Sequence, residues 1–324
     1  MLIQQNERKK EGIEKSIDVS VIIVNYNTKD LTIQAINSVI EKTEDVSYEI
    51  IVVDNASQDD SVEVLKNEFA DKIILVESKE NLGFGKGNNL GMQYANGENL
   101  FLLNPDTMLI NNAIKDLHHF LKDNLNVAIC GGNLYNKDLT PNHSFSLKLP
   151  HEQSKNAFLQ AIATISKLFK RKRKDFNFTE NPIEVGYITG ADLMIRRDIA
   201  LQLNGFDDEF FMYSEECELC FRAKKLDYKV YSVPWAKIIH LEGASSTKKS
   251  ALKLSAYGDY LYFEKVLGHD AVKNRYRFKR RYFTWLGILT LGLYYIKFKS
   301  MRGIKKILKE EFIKWQHKSK EQSS

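Results

Sequence analysis

Between Val19 and Ile129, short β-branched or aliphatic runs alternate with stretches of helical length. The runs are Val19–Val24, Glu49–Val53, Lys72–Val76, Leu100–Leu103 and Val127–Cys130. Between them lie Leu31–Lys42, Ser61–Phe69, Gly87–Asn96 and Ala113–Lys122. Strands joined through helices run parallel, and a parallel sheet must be covered on both faces. The pattern therefore predicts an α/β fold: a Rossmann-like, mostly parallel sheet with helices on both faces. Such a sheet takes its ligand outside the carboxyl ends of the strands, so the chemistry is expected in the loops that leave them.

Those loops are unusually polar. The first strand runs into Asn25-Tyr26-Asn27, the second into Asp54-Asn55-Ala56-Ser57, and the third into the segment Asn81 to Asn89. The fourth ends in Asn104-Pro105-Asp106. Each set alone is ordinary turn chemistry, but four in succession at one rim suit a nucleotide, which needs donors and acceptors for base and ribose. Pro105 has no N–H and should end its strand at Asn104. Asp106 then emerges where a carboxylate can hold a hard cation against a diphosphate. Glycines between Gly83 and Gly87 permit close backbone approach; their position after the third strand excludes a Rossmann dinucleotide fingerprint.

The second half adds two features. Gly186 to Ile195 reads as a strand entering and leaving a tight loop at Gly190-Ala191. Further on, Ser214 suits a helix N-cap, followed by Glu215, Glu216 and Glu218. Acidic residues in a first turn suit the helix dipole. They also form a candidate general base and acceptor clamp, because burial and like-charge proximity raise a carboxyl pKa toward neutrality. His240 ends the apolar run Lys237–His240, where a lone histidine is most often structural.

With 324 residues, 43% hydrophobic and 27% charged, the chain can bury one large core and carry an appendage. The first sixteen residues read as a frayed tail without a signal-peptide apolar run. Cys130, Cys217 and Cys220 are too few for a disulfide framework and fit a reducing cytoplasm; Cys217 and Cys220 are expected on a helix. The net charge of +5 is uneven, since residues 251–324 hold 17 Lys/Arg against 6 Asp/Glu. Within that segment Tyr282–Ile296 carries no charge over fifteen residues and is flanked by ten basic residues between Arg275 and Lys306. That is short of the ~20 residues needed to span a bilayer. Basic flanks around an aromatic-rich helix favour one lying in an anionic membrane surface, the alternative being a buried helix. The amphipathic stretch Ala157–Phe169 and the basic run Lys170–Lys174 can join that surface, while Ala251–Leu267 is expected to pack on the catalytic domain.

The ordered set Ser20–Asn27, Val53–Ser57, Asn81–Gly85 and Asn104–Asp106 resembles a family 2 glycosyltransferase, and within it the bacterial rhamnosyltransferase-like branch. The resemblance covers residues 18 to 250 or so. It implies a GT-A fold at 17–250, with 1–16 as tail and 251–324 as a helical, basic, membrane-associating region. It implies an inverting, metal-dependent enzyme of surface polysaccharide synthesis. The donor would be a nucleoside-diphosphate sugar, rhamnose among the possibilities; the acceptor would be a glycan or lipid-linked molecule. Asp54 matches the residue that contacts a pyrimidine base, and Asp106 the last acid of the Asp-x-Asp metal motif, with Asn104 at the position of its first. The donor set implied is Asn25, Tyr26, Asn27, Asp54, Asn81, Gly83, Asn88, Asn104 and Asp106. Asp106 and His240 would hold a divalent cation, Mg²⁺ or Mn²⁺. Glu216 matches the general base, with Glu215 as alternate, and Gly190, Ala191 and Glu218 fall to the acceptor side. The implied location is the cytoplasmic face of the cell membrane, with no nucleic-acid partner. Two other readings stay open: a sugar nucleotidyltransferase, or a non-catalytic protein that binds membrane or nucleic acid through the basic tail.

Overall fold

A computed structural model describes residues 16–153, 155–167, 175–241, 248–290 and 295–321. The N-terminal fifteen residues, Lys170–Lys174, Glu242–Ser245 and residues 291–294 lie outside the described residues. The first half alternates β1 (Val19–Asn25), α1 (Lys29–Lys42), β2 (Tyr48–Asp54), α2 (Ser61–Phe69), β3 (Ile74–Glu77), α3 (Gly83–Met92) and β4 (Asn99–Leu103). Next come β5 (Thr107–Leu109), α4 (Ala113–Asp123), β6 (Val127–Tyr135), β7 (Phe145–Ser146) and α5 (Ala157–Lys167). The chain continues through β8 (Ile183–Glu184), β9 (Tyr187–Ile188), β10 (Asp192–Arg196), α6 (Arg197–Gln202), α7 (Glu215–Lys225) and β11 (Lys229–His240). Three long helices close it: α8 (Lys248–Leu267), α9 (His269–Thr290) and α10 (Tyr295–Glu321).

The main sheet has the order β3-β2-β1-β4-β10-β6-β11-β5, with β8 paired to β11. β3, β2, β1 and β4 are parallel, as the alternation predicts. The fifth run differs. β6 does not join β4 directly, because β10, arriving from the second half, is inserted antiparallel between them. Period-two side-chain alternation explains why these strands read as uninterrupted apolar runs. Val19, Val21 and Ile23 of β1 face one core with Ile36 and Val39 of α1 and Leu117 of α4, whereas Ile22 faces the other with Leu219 of α7.

Two helices depart from expectation at their starts. α3 begins at Gly83 rather than Gly87, so the glycines lie in the helix instead of a ligand loop. They serve close packing: a Cβ on Gly91 would stand 2.5 Å from Ile22 Cγ2, and one on Gly87 2.9 Å from Val24 Cγ1. The helix thus lies directly on β1. At α7, Ser214 makes no capping bond; it and Tyr213 are both left-handed, with φ of 75° and 73°.

The C-terminal helices form a third core with α7. Tyr260, Leu261 and Tyr262 of α8 are buried with Cys217 of α7 and with Leu308 and Trp315 of α10. Gly258 lets α8 approach closely, because a Cβ there would meet the Tyr213 carbonyl oxygen at 2.2 Å. Two of the ten basic residues between Arg275 and Lys306 are spent inside this layer. Arg275 grips Asp259 with two bonds of 2.8 and 2.7 Å, and Lys279 sits 3.0 Å from the same carboxylate. Among the described residues no helix is long and apolar enough to cross a membrane.

Candidate active site

The parallel register of β1 and β2 sets Asn25 beside Asp54 at the carboxyl end of the sheet. Asn25 donates to Asp54 Oδ1 at 2.8 Å and to Ser57 Oγ at 3.0 Å, while its Oδ1 accepts from the Thr28 and Thr32 hydroxyls. Ser57 N donates to the other Asp54 oxygen at 3.0 Å. This knot engages both the amide N–H groups and the carbonyl oxygen of Asn25, which hold Asp54 in place. Asn27, at φ 53°, accepts from Gln58 N at 2.7 Å, and between them the Tyr26 ring is 39% exposed.

Asn55 ties the third loop to the second. Its Nδ2 donates to Asn81 Oδ1 at 3.1 Å and to the Gly83 carbonyl at 3.0 Å, and its Oδ1 accepts from Leu82 N. Asn81 in turn accepts from Gly83 N at 2.9 Å, and Gly83 itself is pinned at φ 79°, where a Cβ would strike the Phe211 carbonyl oxygen at 2.1 Å. Asn88 is 1% exposed and donates to the Phe84 carbonyl inside α3. Asn81, Gly83 and Asn88, expected among the ligand contacts, thus also shape the rim from within.

β4 stops at Leu103, one residue before the expected Asn104. Asn104 N is taken by the Ala191 carbonyl at 3.0 Å; the Asn104 side-chain amide has no hydrogen bond among the described residues. Pro105 turns the chain, and Asp106 lies beside His240, Oδ1 to Nε2 at 3.4 Å. β5 and β11 bring these distant residues together, pairing Thr107 with His240. The other ring nitrogen of His240, Nδ1, is buried without a partner among the described residues. Oxygen and nitrogen donors bound cis on an octahedral ion at ~2.1 Å are ~3 Å apart, so this pair fits a divalent cation of the Mg²⁺/Mn²⁺ type.

The first turn of α7 lies across from α3. Phe84 N donates to the Phe211 carbonyl at 2.9 Å, Asn89 Nδ2 to the Phe206 carbonyl, and Phe206 N to Asn89 Oδ1. A Cβ on Gly85 would lie 3.8 Å from Glu215 Cγ. Glu215 is 3% exposed and its Oε2 has no partner among the described residues; burial, then the Glu216 charge, push its carboxyl up to about 8. Glu216 is half-buried. Burial also raises its carboxyl, opposed in part by positive potential from His143. Glu218, expected on the acceptor side, is gripped by Arg222, whose Nε donates to both its oxygens at 2.7 and 2.8 Å. The guanidinium also donates to the carbonyls of Leu203 and Gly205, which locks the approach to α7.

Gly190 sits against the Phe84 ring, where a Cβ would meet Cζ at 3.1 Å. Ala191 is buried, so it supports the Asn104 loop through its carbonyl and offers no side chain to an acceptor. Next to it, Asp192 is fully buried, accepts from Gly132 N at 2.6 Å, and keeps Oδ1 unpartnered. Burial drives its pKa well up. An acid inside the apolar run Ala191–Ile195 was the available sequence signal. Asp18, Glu98 and His118 also cluster, with ligand atoms within 4.8 Å, but at the amino ends of β1 and β4, opposite the polar rim.

Residues 20–200 match the model of glycosyl transferase family 2. The hexosyltransferase Agl10 of low-salt glycan biosynthesis in Haloferax volcanii is 26% identical over 85% of this chain and 82% of its own. The dTDP-rhamnosyl transferase RfbF of Shigella flexneri is 22% identical over 77% of each chain. A shorter match, 33% over 24% of this chain and 25% of the other, is to the N-acetylglucosaminyl-diphospho-decaprenol L-rhamnosyltransferase of Mycobacterium tuberculosis. Among solved structures, the mannosyltransferase PcManGT of Pyrobaculum calidifontis, in complex with GDP-Man and Mn²⁺, superposes with a TM-score of 0.55. It is 13% identical over 94% of this chain and 89% of that one. The chain belongs to glycosyl transferase family 2, with a GT-A fold and a helical C-terminal region.

Proposed function

We propose that this glycosyltransferase is an inverting, metal-dependent hexosyltransferase. It would move a sugar such as rhamnose from a nucleoside-diphosphate donor to a glycan or lipid-linked acceptor in surface polysaccharide synthesis. The observation that carries the reading is the meeting of Asp106 with His240, whose second ring nitrogen is buried and unpartnered, at the end of β4. Support also comes from the relatives that act as hexosyl- and rhamnosyltransferases and from the neighbour solved with GDP-Man and Mn²⁺.

The chain's own groups divide the work. Asp54, fixed by Asn25 and Ser57, and the exposed Tyr26 would receive the base, and Asn104 the ribose. Asp106 and His240 would hold a divalent cation, which when bound neutralises charge on the leaving diphosphate. Glu216, reachable from solvent, would take the proton of the acceptor hydroxyl as that oxygen attacks the anomeric carbon from the face opposite the diphosphate. Glu215, kept protonated by its burial, spares the site a second negative charge beside the base. Direct displacement forms one C–O bond as another breaks, so the configuration inverts and no covalent enzyme intermediate is needed.

Surface chemistry supports a place at the membrane. Trp285, Ile288 and Leu289 of α9 are 39, 48 and 38% exposed, beside cations not used in the Asp259 cluster. Such a face suits an anionic leaflet on the cytoplasmic side. The test of the activity is a panel of nucleoside-diphosphate sugars scored by nucleoside-diphosphate release with and without Mn²⁺. Turnover of one sugar, dependent on the cation, is expected; release of pyrophosphate, or none with any donor, would overturn the reading.

A further inference from the structure

A cavity of about 1040 Å³ opens between the segment Pro150–Phe158 and helices α8 and α9, away from the strand ends. One wall is aromatic, with Phe158, Phe263, Phe278 and Trp285, the first and last packed edge to face at 4.9 Å. The charged lining does not cancel. Arg275 is neutralised by Asp259, and the lining acid Asp270 is held by Lys273 at 3.3 Å. Lys155, Arg277 and Arg281 also line the cavity, are exposed, and have no ion pair among the described residues. Beyond the mouth, Leu159 and Ile162 of α5 are 56 and 41% exposed, and Ile288 and Leu289 of α9 are exposed as well.

The inner end reaches the catalytic helix. His151 lines the cavity, bonds Tyr262 Oη at 2.7 Å, and packs edge-on against Phe221 at 5.5 Å. Phe221 follows Glu216 by five positions in α7, a rise of ~7.5 Å. Three unpaired cations on one concavity, an aromatic wall and an exposed apolar ridge make a gradient from anion-binding to chain-binding surface. Guanidinium forks suit phosphate oxygens, and stacked aromatics suit an unsaturated hydrocarbon chain.

We propose that this cavity binds the diphosphate end of a long-chain lipid, with Lys155, Arg277 and Arg281 on the phosphates and the chain leaving over Phe158 and Trp285 toward the membrane. The sugar carried by that diphosphate would then lie toward α7. The proposal rests on the lipid-linked acceptor reading above and supplies the place where that lipid is held.

Farnesyl diphosphate is a soluble probe, titrated calorimetrically into the full chain without divalent cation. Inorganic pyrophosphate and farnesol supply the head and chain alone. The expected result is binding at least tenfold tighter than either fragment, weakened at least tenfold in Arg277→Gln/Arg281→Gln. Because both arginines are exposed and unpaired, the variant should melt with the parent and bind nucleoside diphosphate with Mn²⁺ unchanged. Equal binding of inorganic pyrophosphate would mean a small-anion site only and overturn the proposal. So would a double variant that binds farnesyl diphosphate like the parent, or competition between farnesyl diphosphate and the nucleotide. Failure here with sugar turnover intact would sink the lipid site alone; absence of turnover with every donor would sink the function and leave this titration readable.

Discussion

Glu215 and Asp259 occupy packed neighbouring helices, α7 and α8, and both carboxylates are largely withdrawn from water. Asp259 has Arg275 and Lys279 within hydrogen-bond distance, and their charges pull its carboxyl down to about 2 despite burial. Glu215 has no cation, an unpartnered oxygen, and a glutamate beside it; its carboxyl rises to about 8. Desolvation penalises the charge in both places, and only one place supplies the compensation. A partnered acid keeps its charge and is spent on architecture, whereas an unpartnered one is held neutral. Glu218, one turn from Glu215, belongs to the first class through Arg222.

The largest effect should come from unpairing the structural acid. Asp259→Asn leaves Arg275 and Lys279 without a counter-charge and should cost ~3 kcal/mol or more, read as a fall in the midpoint of urea unfolding. Loss below ~0.5 kcal/mol would show that the pair's attraction only matches its desolvation cost. In the parent, the Asp259 contribution is present above the unfolded carboxylate value and is lost as pH falls from about 4 toward 2.

Next is the base. Glu216→Gln should lower kcat by ~10² or more while donor binding persists, and Glu215→Gln should lower it less. Glu218→Gln should act on stability, with kcat of the folded fraction nearly unchanged. A reversed order of Glu215 and Glu216 would move the base inward by one residue.

The last effect is a slope with pH. The unfolded chain loses the Glu215 proton near 4.5, and the folded chain keeps it to about 8. The native state therefore binds the extra proton in that window, and stability should fall as pH rises through it. Glu215→Gln should flatten the decline of Tm between pH 5 and 8; identical slopes would mean that the carboxyl is not held neutral.

Local pattern carried the nucleotide half of the fold, because each of its strands and helices buries its own apolar face and the connections are short. The insertion of β10 between β4 and β6 was illegible, since strand order depends on contacts across sixty residues or more. The polar rim was legible as composition but not as assignment. Asn25, Asn81 and Asn88 also bond within the rim, to Asp54, Gly83 and Phe84, which no local pattern foretells. The tail misled for a related reason: counting cations from Arg275 to Lys306 could not show that Asp259, sixteen residues upstream, claims two of them. That packing also means deleting residues 270–324 would strip the partners of Tyr260 and Tyr262, so point substitutions test membrane contact better than truncation.

The central claim is that Asp106 and His240 hold the cation through which the donor diphosphate is bound. Calorimetric titration of the nucleoside diphosphate product into the parent and Asp106→Ala, each with and without Mn²⁺, tests it directly. The account predicts that Mn²⁺ tightens binding at least tenfold in the parent and has no effect in Asp106→Ala, whose melting curve stays intact. Equal Mn²⁺ enhancement in the two proteins would contradict it and move the metal site elsewhere.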